Sequence, residues 1–176
     1  FNKNGIHKIT GTKFNKKGTG LVFSTFLGGS AGGWSDWIRG MALNDNGDIY
    51  LVGNTQSTDF PVTSNAYQKK YKGGSGTWYA GDAFLTIMKK DGSGLLYSSY
   101  LGGTSDEVGH DLFINESGHI YVVGSSKSNN FPTTPGAKVF NTAVKGAGTT
   151  DGFITKFSKD GTKILYSHLM GGTGND

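Results

Sequence analysis

The chain has 176 residues, among them 30 glycines, three prolines and no cysteine, and 12% of its residues are aromatic. This length and aromatic content allow one compact domain and argue against disorder, while the lack of cysteine excludes disulfides and thiolate metal sites. The formal net charge is +4, but Arg39 is the only arginine among 17 basic residues, which argues against a nucleic-acid partner because phosphate clamping and base readout favour arginine.

Short runs of β-branched and aromatic residues alternate with turns along most of the chain. Turns such as Asn46-Gly47 and Asp91-Gly92 supply the left-handed backbone of tight hairpins, and neighbouring strands joined by them form antiparallel meanders. No segment shows a sustained 3.6-residue period, so few or no helices are expected. The predicted strands are Trp37–Leu43, Asp48–Asn54, Asp82–Met88 and Leu95–Leu101, followed by Val108–Ile114, His119–Ser125, Asp151–Phe157 and Ile164–Leu169.

Three sequence blocks recur in the same order along the chain. The spacing between copies is 69 to 74 residues, and each copy holds four of the predicted strands. The blocks span residues 21–29, 44–53 and 81–92, they return at 95–103, 115–124 and around 151–157, and the first returns again at 164–172. Repetition at a fixed period indicates one structural unit that is stacked on its neighbours.

Four antiparallel strands per repeat predict an all-β fold, a partial β-propeller made of four-stranded blades. We expect the end of a preceding blade in residues 1–29, full blades in 30–103 and 104–172, and the start of a further blade in 173–176. A β-sandwich or a solenoid built from the same strands is the alternative. Because a four-stranded sheet buries its faces only against neighbours, the expected partners are remaining blades of the same chain or neighbouring subunits.

Several motifs resemble those of the SBBP, or seven-bladed β-propeller, repeat. The resemblance covers nearly all of the chain from Lys13 onward, whereas Gly5–Thr10 lacks the Asp-Ala-Phe pattern of the repeat, which leaves the register of that strand open. The motifs are Asp59–Thr63, Tyr97–Gly103, Gly118–Gly124, Asn130–Pro135 and Asp151–Lys156.

The resemblance implies a large exported or cell-surface protein of bacteria, Bacteroidota especially, or of some archaea. Many proteins with this repeat are thought to leave the cell by type IX secretion. The repeat has no common catalytic residues, so it implies a scaffold whose function depends on its own surfaces. No run of residues approaches the roughly 18 apolar positions of a membrane span, and membrane insertion is not expected.

The motifs that suggest chemistry are better explained by turns. Gly28–Gly32 fits the Gly-x-Ser-x-Gly pattern of a hydrolase, but it lies between strands and not before a helix. Asn44–Asp48 resembles a calcium loop but lacks the distal bidentate acid, and a hairpin turn accounts for it. None of the four histidines is spaced as a zinc pair, and solvated or capping imidazoles are expected. The histidines are His7, His110, His119 and His168.

A carboxylate recurs where the first strand of each repeat begins. Asp36, Glu107 and Asp176 align at spacings of 71 and 69 residues. The favoured interpretation is that each one caps backbone amides of the loop that enters the strand. A ring of these acids around a central channel would also suit a cation, so Ca²⁺ is the one cofactor that the sequence leaves open.

The loops between the second and third strands, residues 55–81 and 126–150, are long, and loops of this length usually bind a partner or move. The first repeat places several aromatic residues and an arginine in or beside this face, while the second repeat has no tryptophan. Tryptophan is favoured in protein hot spots and as a stacking platform, so these residues predict a ligand or partner face. They are Trp34, Trp37, Arg39, Trp78 and Tyr79.

The sequence therefore predicts a non-catalytic scaffold segment that presents a loop-rich face to a protein partner or spaces other domains. Glycan recognition through the loop aromatics is the alternative. A secreted enzyme whose pocket is assembled from other blades is a third hypothesis, against which stands the lack of an acid–base constellation in these repeats.

Overall fold

The computed structural model describes residues 8–30, 36–74, 81–136, 150–172 and 174. Within these ranges the secondary structure consists of β-strands and turns without a helix, which confirms the predicted all-β fold. No helix in the described part could therefore cross a membrane. The strands are β1 (Ile9–Phe14), β2 (Leu21–Leu27), β3 (Asp36–Leu43), β4 (Ile49–Thr55), β5 (Asp82–Met88), β6 (Leu95–Leu101), β7 (Glu107–Ile114), β8 (Ile120–Ser126), β9 (Asp151–Phe157) and β10 (Ile164–Met170).

The ten strands form three antiparallel sheets in chain order. Strands β3 to β6 form the first four-stranded sheet, here called blade 1, and β7 to β10 form the second, blade 2. Strands β1 and β2 form a two-stranded sheet, here called the half-blade. Consecutive strands are hydrogen-bonded neighbours in each sheet, as expected of blades of a partial propeller. The bounds of all eight predicted strands agree with those of β3 to β10 to within one residue.

The turn between the first two strands of each blade is built in the same way. Gly47 has a φ of 84° and Gly118 a φ of 78°, a left-handed conformation that glycine adopts without a steric penalty. The side chain of Asn44 accepts a hydrogen bond from the backbone amide of Asp48 at 2.8 Å, and Asn115 accepts one from His119 at 2.9 Å. The Asn44–Asp48 segment is therefore a hairpin turn in which the asparagine side chain caps the backbone.

The pairing of the half-blade identifies which strands it contains. Ile9 in β1 faces Leu27 in β2, as Ala83 in β5 faces Leu101 in β6. Strands β1 and β2 therefore correspond to the third and fourth strands of a blade. In this register Lys8, just before β1, stands where the other repeats have Asp82 and Asp151, which resolves the register that the sequence left open.

The cores of the molecule lie between sheets. One cluster joins blade 1 to blade 2, with Val52 and Leu85 on one side and Val122 and Phe153 on the other. A second cluster joins the half-blade to blade 1 and includes Leu27, Phe84 and Tyr100. Blade 1 is thus buried on both faces, since one core lies on each side of it.

Candidate functional site

The first candidate site is the carboxylate at the start of β3. Asp36 is buried and accepts hydrogen bonds from the backbone amide of Gly29 at 3.0 Å and from the hydroxyls of Thr55 at 2.5 Å and Ser57 at 3.1 Å. Burial raises the pKa of Asp36, although these donors act in the opposite direction. The side chain therefore joins the end of β2 in the half-blade to the start of blade 1.

Glu107 at the start of β7 makes the same set of contacts between blades 1 and 2. It accepts a hydrogen bond from the amide of Gly103 at 2.9 Å and one from the hydroxyl of Ser126 at 2.7 Å. Its side chain is fully buried, and burial raises its pKa. Both described strand-entry carboxylates thus cap a glycine amide of the preceding sheet, while Asp176 lies outside the described residues.

A second polar contact accompanies each carboxylate. Asp59 accepts a hydrogen bond from the amide of Ser30 at 2.7 Å, and Asn130 accepts one from the amide of Thr104 at 2.9 Å. Both acceptors belong to the Asp/Asn-Phe-Pro motif of their repeat. The motif therefore holds the loop that enters its own blade, a role that the 71-residue spacing of the two side chains is consistent with but that sequence reasoning did not assign.

The phenylalanine of the same motif fills the interface with the preceding sheet. Phe60 packs on Phe84, with ring centroids 4.6 Å apart, and Phe131 stacks on Phe153 at 4.5 Å. The amide of Phe60 also donates to the hydroxyl of Tyr100 at 3.0 Å. Each long loop therefore begins as part of the core between two sheets.

The loop also covers the outer edge of its own blade. Thr63 and Ser98 exchange backbone hydrogen bonds, and the amide of Gln68 donates to the hydroxyl of Ser99 at 2.9 Å. The sequence interpretation treated residues 55–81 as a binding or moving loop. In the structure its first part is instead anchored along β6, because the edge strand of the blade offers backbone groups that this segment pairs.

The junction between blades 1 and 2 contains a second buried acid that sequence reasoning did not single out. Asp82 at the start of β5 is fully buried and accepts hydrogen bonds from the side chain of Gln68 at 2.7 Å and the amides of Lys72 at 2.9 Å and Gly73 at 3.2 Å. Burial, with a smaller contribution from the charge of Glu107, raises the pKa of Asp82 to about 7.

Gly102 lies between these two acids. A side chain at this position would collide with the carboxylates of both Asp82 and Glu107. The Gly-Gly pair that closes each repeat is therefore required where the chain passes the carboxylates of adjoining sheets. The recurrence of an acid at Asp151, 69 residues after Asp82, was the signal in the sequence that could have identified this junction.

Of the predicted partner face, the structure describes two residues. Trp37 in β3 is half-buried, and the guanidinium of the exposed Arg39 lies 6.0 Å from the centre of its ring, a cation–π arrangement. Trp34, Trp78 and Tyr79 lie outside the described residues. The structure thus brings Trp37 and Arg39 together on the first strand of blade 1.

The motifs considered for chemistry have structural roles where they are described. Ser30 of the Gly-x-Ser-x-Gly pattern is exposed in the turn after β2, where its amide donates to Asp59. His110 is exposed and forms a hydrogen bond with the hydroxyl of Ser125 at 3.1 Å. His119 is half-buried, and its Nδ1 atom has no hydrogen-bond partner, so the expected solvated or capping role does not describe it. His7 lies outside the described residues.

The remaining candidate surfaces are apolar and lie at the sheet faces. In the residues that the structure describes, no three histidine, aspartate or glutamate side chains are grouped so as to hold a metal ion. One groove of about 440 Å³ lies between the free edge of β1 and blade 1, and it is lined mainly by apolar side chains. The other surface is the face of blade 2 that points away from blade 1, where Val123 is 40% exposed.

The comparisons with known proteins agree with this architecture. A family model described as the SBBP β-propeller repeat matches residues 22–61, which run from β2 through the carboxylate Asp36 to the Asp59-Phe60-Pro61 motif. No curated protein matches the chain. Over residues 22–61 the chain is therefore similar to the SBBP β-propeller repeat, and its four-stranded antiparallel sheets have the form of propeller blades.

Proposed function

We propose that this chain contributes blades to a β-propeller that acts as a non-catalytic structural and protein-interaction scaffold. The observation that carries the proposal is a difference between equivalent positions. Val52 in β4 is 0% exposed against blade 2, whereas Val123, the same position in β8, is 40% exposed. The open face of blade 2 therefore repeats a surface that is covered in blade 1, and an apolar face of this kind is suited to association with another sheet.

The aromatic side chains of this face give the proposed contact its character. Tyr121 packs between Phe113 and Tyr166, with ring centroids 6.3 Å away in each case. The ammonium of Lys156 lies 5.1 Å from the ring centre of Tyr121. Large aromatic rings beside a cation favour the burial of a partner that also offers apolar surface.

Sedimentation velocity over a range of protein concentrations tests the proposal. We expect the chain to associate through the open face, and we expect Val123→Lys to reduce this association. Leu96→Lys is the matched control, because Leu96 is also an exposed aliphatic residue but lies on β6 of blade 1. A chain that stays monomeric, or equal effects of the two substitutions, would contradict the role of this face.

Glycan recognition is the second candidate, and the pairing of Trp37 with Arg39 is the observation that favours it. An aromatic ring beside a fixed cation is suited to stacking against a sugar and to hydrogen bonding with its hydroxyl groups. A glycan array read with the full chain and with Trp37→Ala separates the two functions. Binding of a defined sugar that Trp37→Ala abolishes would favour the glycan module over the scaffold.

We further propose that the scaffold works outside the cell or on a bacterial surface, as the resemblance to the repeat implies. Fractionation of the native host is the direct test. Recovery of the intact protein from the cytoplasmic fraction alone would contradict this location, and it would leave the proposal about the open sheet face unchanged.

A further inference from the structure

The groove beside the half-blade has the properties of a site for an added β-strand. One side is the edge of β1, which among the described residues pairs only with β2. The floor is the face of blade 1 and includes Ile38, Met41, Leu43 and Leu51. An unpaired strand edge above an apolar floor is the arrangement in which an extended segment adds to a sheet.

The interface between blades 1 and 2 shows what covers the same floor elsewhere in the molecule. Leu112 in β7 occupies the position of Met41 in β3, 71 residues earlier. Leu112 is 7% exposed because Tyr50 and Val52 of blade 1 belong to the core around it, whereas Met41 is 64% exposed. The floor of the groove thus lacks the two inner strands that cover its counterpart.

The groove is continuous with an interface that already exists. Leu51 and Met88 line it and also belong to the core between the half-blade and blade 1. The half-blade supplies the counterparts of β5 and β6 to this interface, as its register shows. The counterparts of β3 and β4 are the strands that would complete the same contact.

We propose that the groove binds a two-stranded β-hairpin with the side-chain pattern of β3 and β4. Its second strand pairs with the free edge of β1, and its apolar face covers Met41 and Leu43 as Tyr50 and Val52 cover Leu112. The occupant is therefore a hairpin of the same repeat type, with a small residue at the position of Ala42. This inference rests on the proposed function, since it names the element that completes one interface of the propeller.

A folded second copy does not meet these requirements. The strand that pairs with β1 must have a free edge, and it must be the second strand of a repeat. In a folded copy β4 is paired with both β3 and β5, and β8 with both β7 and β9. The described second strands are thus already occupied on both edges, which favours a hairpin that is not yet part of a sheet.

The test uses the full chain and a synthetic peptide with the sequence of residues 36–55. Because the chain contains no cysteine, a single introduced cysteine reports the exposure of one position by its rate of thiol labelling. Met41→Cys places the probe in the groove. Phe113→Cys is the matched control, because Phe113 is also 64% exposed but lies in β7 on the far side of blade 1. Leu112→Cys gives the labelling rate of a covered position.

We expect saturating peptide to slow the labelling of Met41→Cys at least about tenfold, as mass action gives when nine-tenths of the sites are filled, and to leave Phe113→Cys unchanged. A peptide in which the counterparts of Tyr50 and Val52 are replaced by lysine should give no protection. Lack of protection by the unaltered peptide, or equal protection at positions 41 and 113, would overturn the inference.

Two further outcomes are informative. If Met41→Cys is already protected without peptide, and the protection increases with protein concentration, a second copy occupies the groove and the inference is wrong. If the peptide gives no protection while the association that depends on Val123 persists, the hairpin site is refuted and the proposed scaffold function stands. The two proposals can therefore fail separately.

Discussion

Blades 1 and 2 have the same strands and the same turns but differ in burial. In blade 1 nearly every residue of β4, β5 and β6 is buried, whereas in β8, β9 and β10 buried and partly exposed positions alternate. The difference arises because blade 1 has a sheet on each side and the described part of blade 2 has one sheet beside it. The burial of a strand in this fold is therefore determined by the neighbouring blade more than by the strand itself.

The two faces also differ in composition. Ile87 and Ser99 of the covered face of blade 1 correspond to Lys156 and His168 in blade 2. The rings of Tyr166 and His168 are 5.5 Å apart in an edge-to-face arrangement. Blade 2 thus keeps the aromatic positions of the repeat but adds ionisable groups, so a partner of this face must also satisfy a cation.

The largest expected effect is a charge placed in the covered interface. Val52→Lys buries an ammonium group between the blades and should lower the free energy of unfolding by about 3–5 kcal/mol or prevent folding. Val123→Lys, at the equivalent position of the open face, should cost less than about 1 kcal/mol because the ammonium reaches solvent. Urea denaturation of both variants measures the difference. Similar losses in both would mean that the face of blade 2 is covered.

The two faces of blade 2 can be compared within one sheet. Phe131→Ala leaves a cavity beside Phe153 and should lower the free energy of unfolding by about 3–4 kcal/mol. Phe113→Ala removes an exposed ring from the other face and should change it by less than about 1 kcal/mol. Thermal and urea unfolding give both values. A large loss for Phe113→Ala would show that the open face contributes to the fold.

The buried acid at the junction of the blades predicts an unusual pH dependence. The pKa of Asp82 is about 7 in the fold and close to 3.8 when unperturbed, so the folded protein binds more protons between these values. Stability should therefore fall as the pH rises from about 4 to 7, by on the order of 3 kcal/mol. Chemical denaturation at a series of pH values measures the slope.

Variants of this junction distinguish its two acids. Asp82→Asn should flatten the slope, because the group that titrates is removed. Glu107→Gln should move the loss of stability to lower pH only slightly, since burial raises the pKa of Asp82 more than the charge of Glu107 does. A wild-type chain that becomes more stable between pH 5 and 8 would contradict the assignment.

The smallest effect concerns a hydroxyl pair that recurs in all three sheets. Thr86 and Ser98 are buried with their hydroxyl oxygens 2.8 Å apart, and the exposed pair Thr12 and Ser24 is 3.0 Å apart. Thr86→Val leaves a buried hydroxyl without its partner and should cost about 1 kcal/mol. Thr12→Val should be nearly neutral because water replaces the contact. Equal costs in urea denaturation would show that the half-blade is covered at this position.

The strands and their order could be predicted from the sequence because each repeat contains the local signals of its own hairpins. The Asn-x-x-Gly turns and the alternating apolar residues depend on neighbours within a few positions, and the 69 to 74 residue period confirms them. The recurrence of Asp36 and Glu107 likewise identified a structural position. The partners of these carboxylates could not be predicted, because Thr55 and Ser126 lie 19 residues further along the chain.

The role of the long loops illustrates what the sequence alone leaves open. Their length suggested a binding segment, and the Phe-Pro motif was recognised only as a feature of the repeat. The structure places Phe60 and Phe131 inside the interfaces between sheets, and it places the segment that follows Phe60 along the outer strand. A loop that folds back onto its own blade cannot be distinguished from an extended loop by composition.

The amino-acid sequence by itself determined that the chain forms short antiparallel strands in repeats of four, since turn chemistry and side-chain alternation are local properties. The tertiary structure alone decided which faces of those repeats are covered. Met41 and Leu112 occupy the same position in their repeats, yet one is exposed and the other buried. Burial depends on the adjacent sheet, and the residues that provide that sheet are distant in the sequence.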